Sequence, residues 1–237
     1  VHYAMQIEQL SDIKALVTRL KSDPVLRRSL GYDYTNDTPS AATLNRFITL
    51  LSGTDILERT FRRMVCKARK LGLIDGTNVA IDASKLTAYE HAVPKSRIPP
   101  DNPSFPNWGG KLDTNGNFIK WFGWKMHALV DTYSGIPISY IITPANIADM
   151  DVAEDLIQKM MVDYENGLTP KYYMMDAGYD KPDLYASVYH KFHGQAIIPI
   201  NWRNTKIPPE GFNLDGQLVC PMNYAYVYGG NDNGTIK

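Results

Sequence analysis

Cysteine is scarce: Cys66 and Cys220 are the only two in 237 residues. A single distant pair gives no disulfide framework and no cysteine-based zinc site, and it suits a reducing cytoplasm. Long apolar runs are missing as well. Nothing approaches the roughly 18–20 consecutive apolar residues of a membrane span, so no membrane partner is expected. Net charge is absent too, with 25 Lys/Arg against 25 Asp/Glu, which removes the global basic excess common among nucleic-acid binders. What the chain does hold is 44% hydrophobic residues, ordinary for a folded protein and enough for one catalytic-sized domain with a smaller piece beside it. Val1 in place of Met and the polar run at 231–237 read as ends cut from something longer.

The neutral total conceals an uneven distribution. Residues 1–70 carry 12 Lys/Arg and 7 Asp/Glu, whereas residues 126–200 carry 4 and 10. A basic front and an acidic middle would suit a DNA-gripping module joined to a cation-binding centre, although chance alone produces such asymmetry.

Periodicity divides the chain in the same way. Ile13, Leu16, Val17 and Leu20 form a helical stripe with Ser11 as its N-cap, and Asp23-Pro24 opens a short helix that Gly31 closes. Ser40 caps a helix burying Leu44, Phe47, Ile48 and Leu51. A further helix from about Asp55 to Gly72 buries Leu57, Phe61, Met64, Val65 and Ala68, and carries Arg59, Arg62, Arg63, Lys67, Arg69 and Lys70 outside. From residue 78 the period becomes that of strands. An apolar run at 78–83 is followed by a proline-rich stretch at 84–120 that reads as one long connection. Runs at 124–131 and 136–143 form a hairpin through Thr132-Tyr133-Ser134-Gly135. A helix at 151–162 with Leu156, Ile157 and Met160 inward, a strand at 171–176, a helix at 183–191 and a strand at 196–200 complete the order. The expected class is α/β, a mixed sheet flanked by helices. The domain reading is residues 1–74, all-helical, and residues 75–237, the sheet domain.

Two carboxylates stand out by position. Asp82 lies in the apolar strand Val79-Ala80-Ile81-Asp82-Ala83, and Asp176 ends the strand Tyr173-Met174-Met175-Asp176. A charge in a buried strand is costly unless paired or bound to a cation. If the two strands are neighbours, both carboxylates reach one site of hard oxygen ligands suited to Mg²⁺ or Mn²⁺. Each Asp can equally cap the turn that follows it, and the residues alone leave both readings open.

Four strings in order carry a family resemblance: Ala80-Ile81-Asp82-Ala83-Ser84-Lys85-Leu86, Trp121-Phe122-Gly123-Trp124-Lys125-Met126-His127, Thr143-Pro144-Ala145-Asn146, and Met175-Asp176-Ala177-Gly178-Tyr179-Asp180. Together they resemble the DDE transposases of the insertion-sequence four/five superfamily. Residues 7–72, with Leu30-Gly31-Tyr32 and Pro39-Ser40-Ala41-Ala42-Thr43-Leu44, are similar to the helical N-terminal domain of that group. The resemblance implies an RNase H-like fold, Asp82 and Asp176 as the first and second acidic ligands of Mg²⁺ or Mn²⁺, and cleavage and strand transfer at transposon ends. It also implies double-stranded DNA as partner, action as a homodimer on paired ends, and a bacterial, nucleoid-associated location.

The pattern departs from the family in two places. The third family ligand is a Glu on a downstream helix, and the only Glu after Asp176 is Glu210, flanked by Pro208, Pro209 and Gly211, which no helix interior accommodates. The catalytic Glu is therefore expected beyond Lys237, leaving this chain inactive or nearly so. Ala148 stands where the family often has His.

Lesser signals have plain alternatives. Lys85, Lys95, Arg97, Lys111 and Lys120, interleaved with Trp108, Trp121 and Trp124, resemble a DNA contact surface, though tryptophans near glycines more often serve packing. Lys125 and His127 share a strand face and suit phosphate contact, the orientation of a metal ligand or a structural pairing; Arg59, Arg62 and Arg63 suit a DNA backbone or simple solvation. Cys66 reads as core, and Tyr172, Tyr173, Tyr179 and Tyr185 as packing. Two further functions stay open: a catalytically silent DNA-binding or assembly module from a decayed element, and an RNase H-like nuclease.

Overall fold

The computed structural model describes residues 5–236 apart from 6, 11, 34–37, 89–90, 100–104, 113–115, 165–166, 202–207, 209, 215, 228–230 and 233–234. The chain divides into two compact units, Val1–Met64 and Val65–Lys237. Their border falls inside a helix, α4 (Ile56–Lys70). No described helix is long and apolar enough to cross a membrane.

In the first unit, α1 (Ile13–Ser22), α2 (Pro24–Ser29) and α3 (Ala41–Ser52) close around Leu16, Leu20 and Leu44. Side-chain caps start all three, satisfying amides that a helix leaves unpaired. Ser40 Oγ accepts from Thr43 N at 3.1 Å, and Asp23 Oδ1 accepts from Val25 N and Leu26 N at 2.9 and 3.0 Å. The cap of α1 is Asp12, whose Oδ1 accepts from Ala15 N at 2.7 Å; the expected cap, Ser11, lies outside the described residues. The core is smaller than the periodicity suggests. Phe47 is 50% exposed and Leu57 and Met64 are each 55% exposed, while Cys66 is also exposed rather than core. Three short helices supply one shared interior, so only one side of each stripe is covered.

The second unit is built on β3 (Phe118–Asp131), whose 14 residues make it the spine of a six-stranded sheet. Its first half pairs antiparallel with β2 (Asn107–Leu112), and its second half with both β1 (Asn78–Thr87) and β4 (Pro137–Pro144). Beyond β1 the pairing turns parallel, to β5 (Tyr172–Met175) and then β6 (Gln195–Ile197). Helix α5 (Asp149–Asp163) crosses from β4 to β5 and buries Val152, Ala153, Leu156, Ile157 and Met160 against the sheet. A short helix, α6 (Pro182–Ala186), widens into a π turn at Ser187–Lys191 before β6. Three antiparallel pairings, and two parallel ones reached through helices, make this a mixed sheet flanked by helices and preceded by an all-α segment.

The structureless connection expected over 84–120 is shorter. β1 runs on to Thr87, β3 begins at Phe118 and β2 lies between them. The pair Gly109-Gly110 looked like a breaker, yet both glycines sit within β2. A Cβ on Gly109 would lie 2.7 Å from the Trp121 ring, and one on Gly110 would strike the Phe118 ring. Cross-strand aromatics occupy the space that side chains would need.

Candidate active site

β1 and β5 are adjacent and parallel, with Ile81 opposite Met175 as the last pair of their ladder. The next residue on each strand is an aspartate, Asp82 and Asp176. Both are exposed, which corrects the expectation of charges held inside buried strands. Ile81 and Met175 end the buried stretch, and the carboxylates emerge one step later, at the carboxyl ends of parallel strands where ligands of α/β sheets gather. Solvent meets the charge, and no desolvation has to be offset.

Local backbone orients each carboxylate. Ala83 N donates to Asp82 Oδ1 at 2.7 Å, and Gly178 N donates to Asp176 Oδ1 at 2.8 Å. A Cβ on Gly178 would sit 2.9 Å from that same oxygen, so glycine there keeps the carboxylate in place. The turn after Asp176 is braced from below. Asp180 accepts from Asn201 N at 2.8 Å and Tyr185 Oη at 3.3 Å, and Asn201 Nδ2 donates to Ala177 O at 2.9 Å. On the other side of β1, Gly123 holds φ at +155°, and a Cβ there would collide with the Leu86 carbonyl. This is where β3 changes partners, and only glycine fits.

Two residues expected to contact DNA turn inward instead. Lys125 Nζ donates to Asp149 Oδ1 and Ile147 O, both at 2.8 Å, tying β3 to the start of α5. His127 is 1% exposed, and its Nε2 shares a hydrogen bond with Thr143 Oγ1 at 2.9 Å across the β3–β4 ladder. Burial holds its pKa below the ordinary imidazole value against the opposing pull of Asp149, so the ring is neutral at pH 7. His127 is closed off from solvent, whereas Lys125 is half-buried with its ammonium held by Asp149 and Ile147. Asp149, whose Oδ1 also lies 3.9 Å from His127 Nδ1, is a member of this group that sequence reasoning missed. Acids in a first helical turn are ordinary, so nothing local distinguished it.

The other basic positions are dispersed. Lys85 is exposed on β1, Lys95 and Arg97 on the short turn Lys95–Arg97, and Lys111 and Lys120 on β2 and β3. Lys120 Nζ stands 4.5 Å above the Trp108 ring, whose Nε1 donates to Val93 O at 2.8 Å. Tryptophan packing and cation display coincide here. Arg59, Arg62 and Arg63 belong to the other unit, and Arg59 pairs with Asp55 at 3.0 Å. Glu210 stands exposed in a turn. Among the described residues, no three His, Cys, Asp or Glu side chains converge closely enough to hold a metal ion; the aspartates form a pair.

The profile of the family described as "Transposase DDE domain" matches residues 68–213, from the end of α4 through every strand of the sheet. No protein with a curated description matches the chain. Among solved structures, one that matches is a piggyBac transposase in a synaptic complex with hairpin DNA, determined by cryo-electron microscopy. Identity is 15% and the TM-score 0.35, over 83% of this chain and 42% of that one. The profile covers well over half of the 237 residues and includes both strand-end aspartates, and on that ground the chain belongs to the transposase DDE-domain family.

Proposed function

We propose that this chain contributes two acidic ligands, Asp82 and Asp176, to a divalent-cation site for cleavage and strand transfer at the DNA ends of a transposable element. The observation that carries the reading is the register: the two aspartates stand one step past the same pair, on adjacent parallel strands. Their donor set fits Mg²⁺ or Mn²⁺, which take hard carboxylate oxygens. When bound, such an ion supplies Lewis-acid stabilisation of charge on the phosphate oxygens. The protein's own part is orientation. Backbone amides fix one oxygen of each aspartate, and the other, Oδ2, is left for a ligand. Lys85, Lys95, Arg97, Lys111 and Lys120 would neutralise duplex phosphates, as would Arg59, Arg62 and Arg63 in the first unit. Two copies of the chain acting on paired ends would complete the assembly.

A pair of carboxylates without a third acid holds a cation weakly, and DNA cutting by this chain alone is expected to be slow or absent. The same observation favours a second reading, a DNA-binding and assembly module that performs no chemistry. Calorimetric titration with Mn²⁺ separates the two. Binding by the wild type that falls at least tenfold in both Asp82→Asn and Asp176→Asn supports the cation site. Equal binding in all three proteins removes it and leaves the silent module.

A further inference from the structure

At the start of β5, about 13 Å of strand away from Asp176, lies an open hollow that the aspartate pair does not use. Parallel pairing sets Tyr172 beside Gln195, and Gln195 N donates to Lys171 O at 2.8 Å, so the beginnings of β5 and β6 stand together. The π turn Ser187–Lys191 adds Tyr189 and His190, and His193 and Gly194 complete the lining. The hollow measures about 540 Å³, within the roughly 300–1,000 Å³ of sites that take small ligands.

The chemistry of the lining narrows the ligand. Residues 126–200 carry an acidic excess, yet among the described residues no side chain lining the hollow is acidic. Among the described residues, too, no hydrogen bond or ion pair engages the side chains of Lys171, His190, His193 or Gln195. Glu154 of α5, the acid that reaches the π turn, is taken by Lys191 at 2.9 Å and Ser187 at 3.0 Å. Tyr172, expected to pack, is 39% exposed, and Tyr189 is 64% exposed. Tyr189 and His190 meet edge to face with centroids 5.0 Å apart, so each ring steadies the other in solvent. His193 holds φ at +55° where the turn ends and Gly194 N bonds back to Val188 O at 3.0 Å. Helices commonly end on glycine in that conformation, and a strained residue in its place points to a use for the side chain.

Cations alone would suit the backbone of a duplex, and exposed rings alone an apolar partner. Rings interleaved with unpaired cations match a strand whose base faces are free to stack, and a duplex hides those faces. We propose that this hollow binds an unpaired DNA strand, its bases stacking on Tyr172 and Tyr189 and its phosphates meeting Lys171, His190 and His193. The site is separate from the aspartates and does not depend on their holding a cation.

The test is fluorescence anisotropy with the whole chain, a labelled thymidine octamer, and EDTA to keep divalent cations out. Tyr172→Ala and Tyr189→Ala should each weaken binding by about tenfold, the effect of losing one stacked base. Lys171→Gln should reduce the slope of log affinity against log salt by about 0.7. His193→Gly should weaken binding with the melting temperature unchanged or raised, a combination that a purely structural histidine would not give. In wild-type protein, an irradiated octamer carrying 5-iodouracil should cross-link to Tyr172 or Tyr189, a readout that needs no variant to fold. Wild-type affinity in both tyrosine variants, or cross-links confined to other residues, overturns the proposal. Tighter binding of a duplex, or of a uridine RNA octamer, overturns it as well.

Discussion

Two places on the β1–β3 ladder treat an aspartate in opposite ways. Asp131 ends β3 opposite Val79, and Asp82 lies three residues further along β1. Asp131 is fully buried and accepts hydrogen bonds from Gly76 N at 2.8 Å, Ser134 N at 2.9 Å and Ser134 Oγ at 2.7 Å. Burial pushes its pKa up, but the bonds from Ser134 and the Gly76 amide outweigh burial and hold the carboxylate below its usual range. Asp82 and Asp176 stand one step past the end of the β1–β5 pairing; both are exposed, and among the described residues each is bonded by a backbone amide beside it. A saturated carboxylate fastens the hairpin and can bind nothing else. An unsaturated one adds little to stability and keeps its capacity for a ligand. The first place holds the hairpin together, and the second is the one proposed to bind a cation.

Five substitutions and a pH series probe that contrast. The largest effect should come from Asp131→Ala, which strands three donors and lowers unfolding free energy by about 4 kcal/mol in urea titration. Asp82→Asn and Asp176→Asn should change it by less than about 0.5 kcal/mol; a comparable loss there would erase the distinction. Gly123→Ala forces a side chain into the Leu86 carbonyl at a backbone angle alanine avoids, and should destabilise by about 2–3 kcal/mol. Acid comes next. Because the folded pKa of Asp131 is depressed, its contribution is complete above the unfolded value of about 3.9 and is lost as pH falls through the folded value. Wild type should therefore lose stability below about pH 4 more steeply than Asp131→Asn. Smallest is Lys120→Ala, expected to weaken duplex DNA binding a few-fold and to reduce the salt-dependence slope by about 1. An unchanged slope would take Lys120 out of the DNA surface.

The aspartate pair was the more legible of the two. Asp82 and Asp176 follow apolar runs whose strand character is plain from Val79, Ile81, Tyr173 and Met175, and the register puts them side by side. Their exposure was not legible, because strand periodicity says nothing about where pairing stops. β2 was hidden by Gly109-Gly110, since the signal for a turn and the signal for a ring packed across a strand are the same missing Cβ. Lys125 and His127 looked like DNA contacts because alternation shows that two residues share a face and not what meets them there: Asp149 of α5 meets Lys125, and Thr143 of β4 meets His127. Asp149, Asp180 and Asn201 act through partners distant in sequence, 24 positions in the case of Lys125 and Asp149, and no local pattern announces them.

The central claim is that Asp82 and Asp176 form one cation site. Fe²⁺ bound in place of Mg²⁺, with ascorbate and peroxide, generates hydroxyl radicals that cut nearby backbone, so mapped cuts report the ion's position directly. The account predicts two clusters of cuts, around residues 82–84 and 176–178, both lost in Asp82→Asn. Cuts near only one aspartate, or a pattern that Asp82→Asn leaves unchanged, would contradict it.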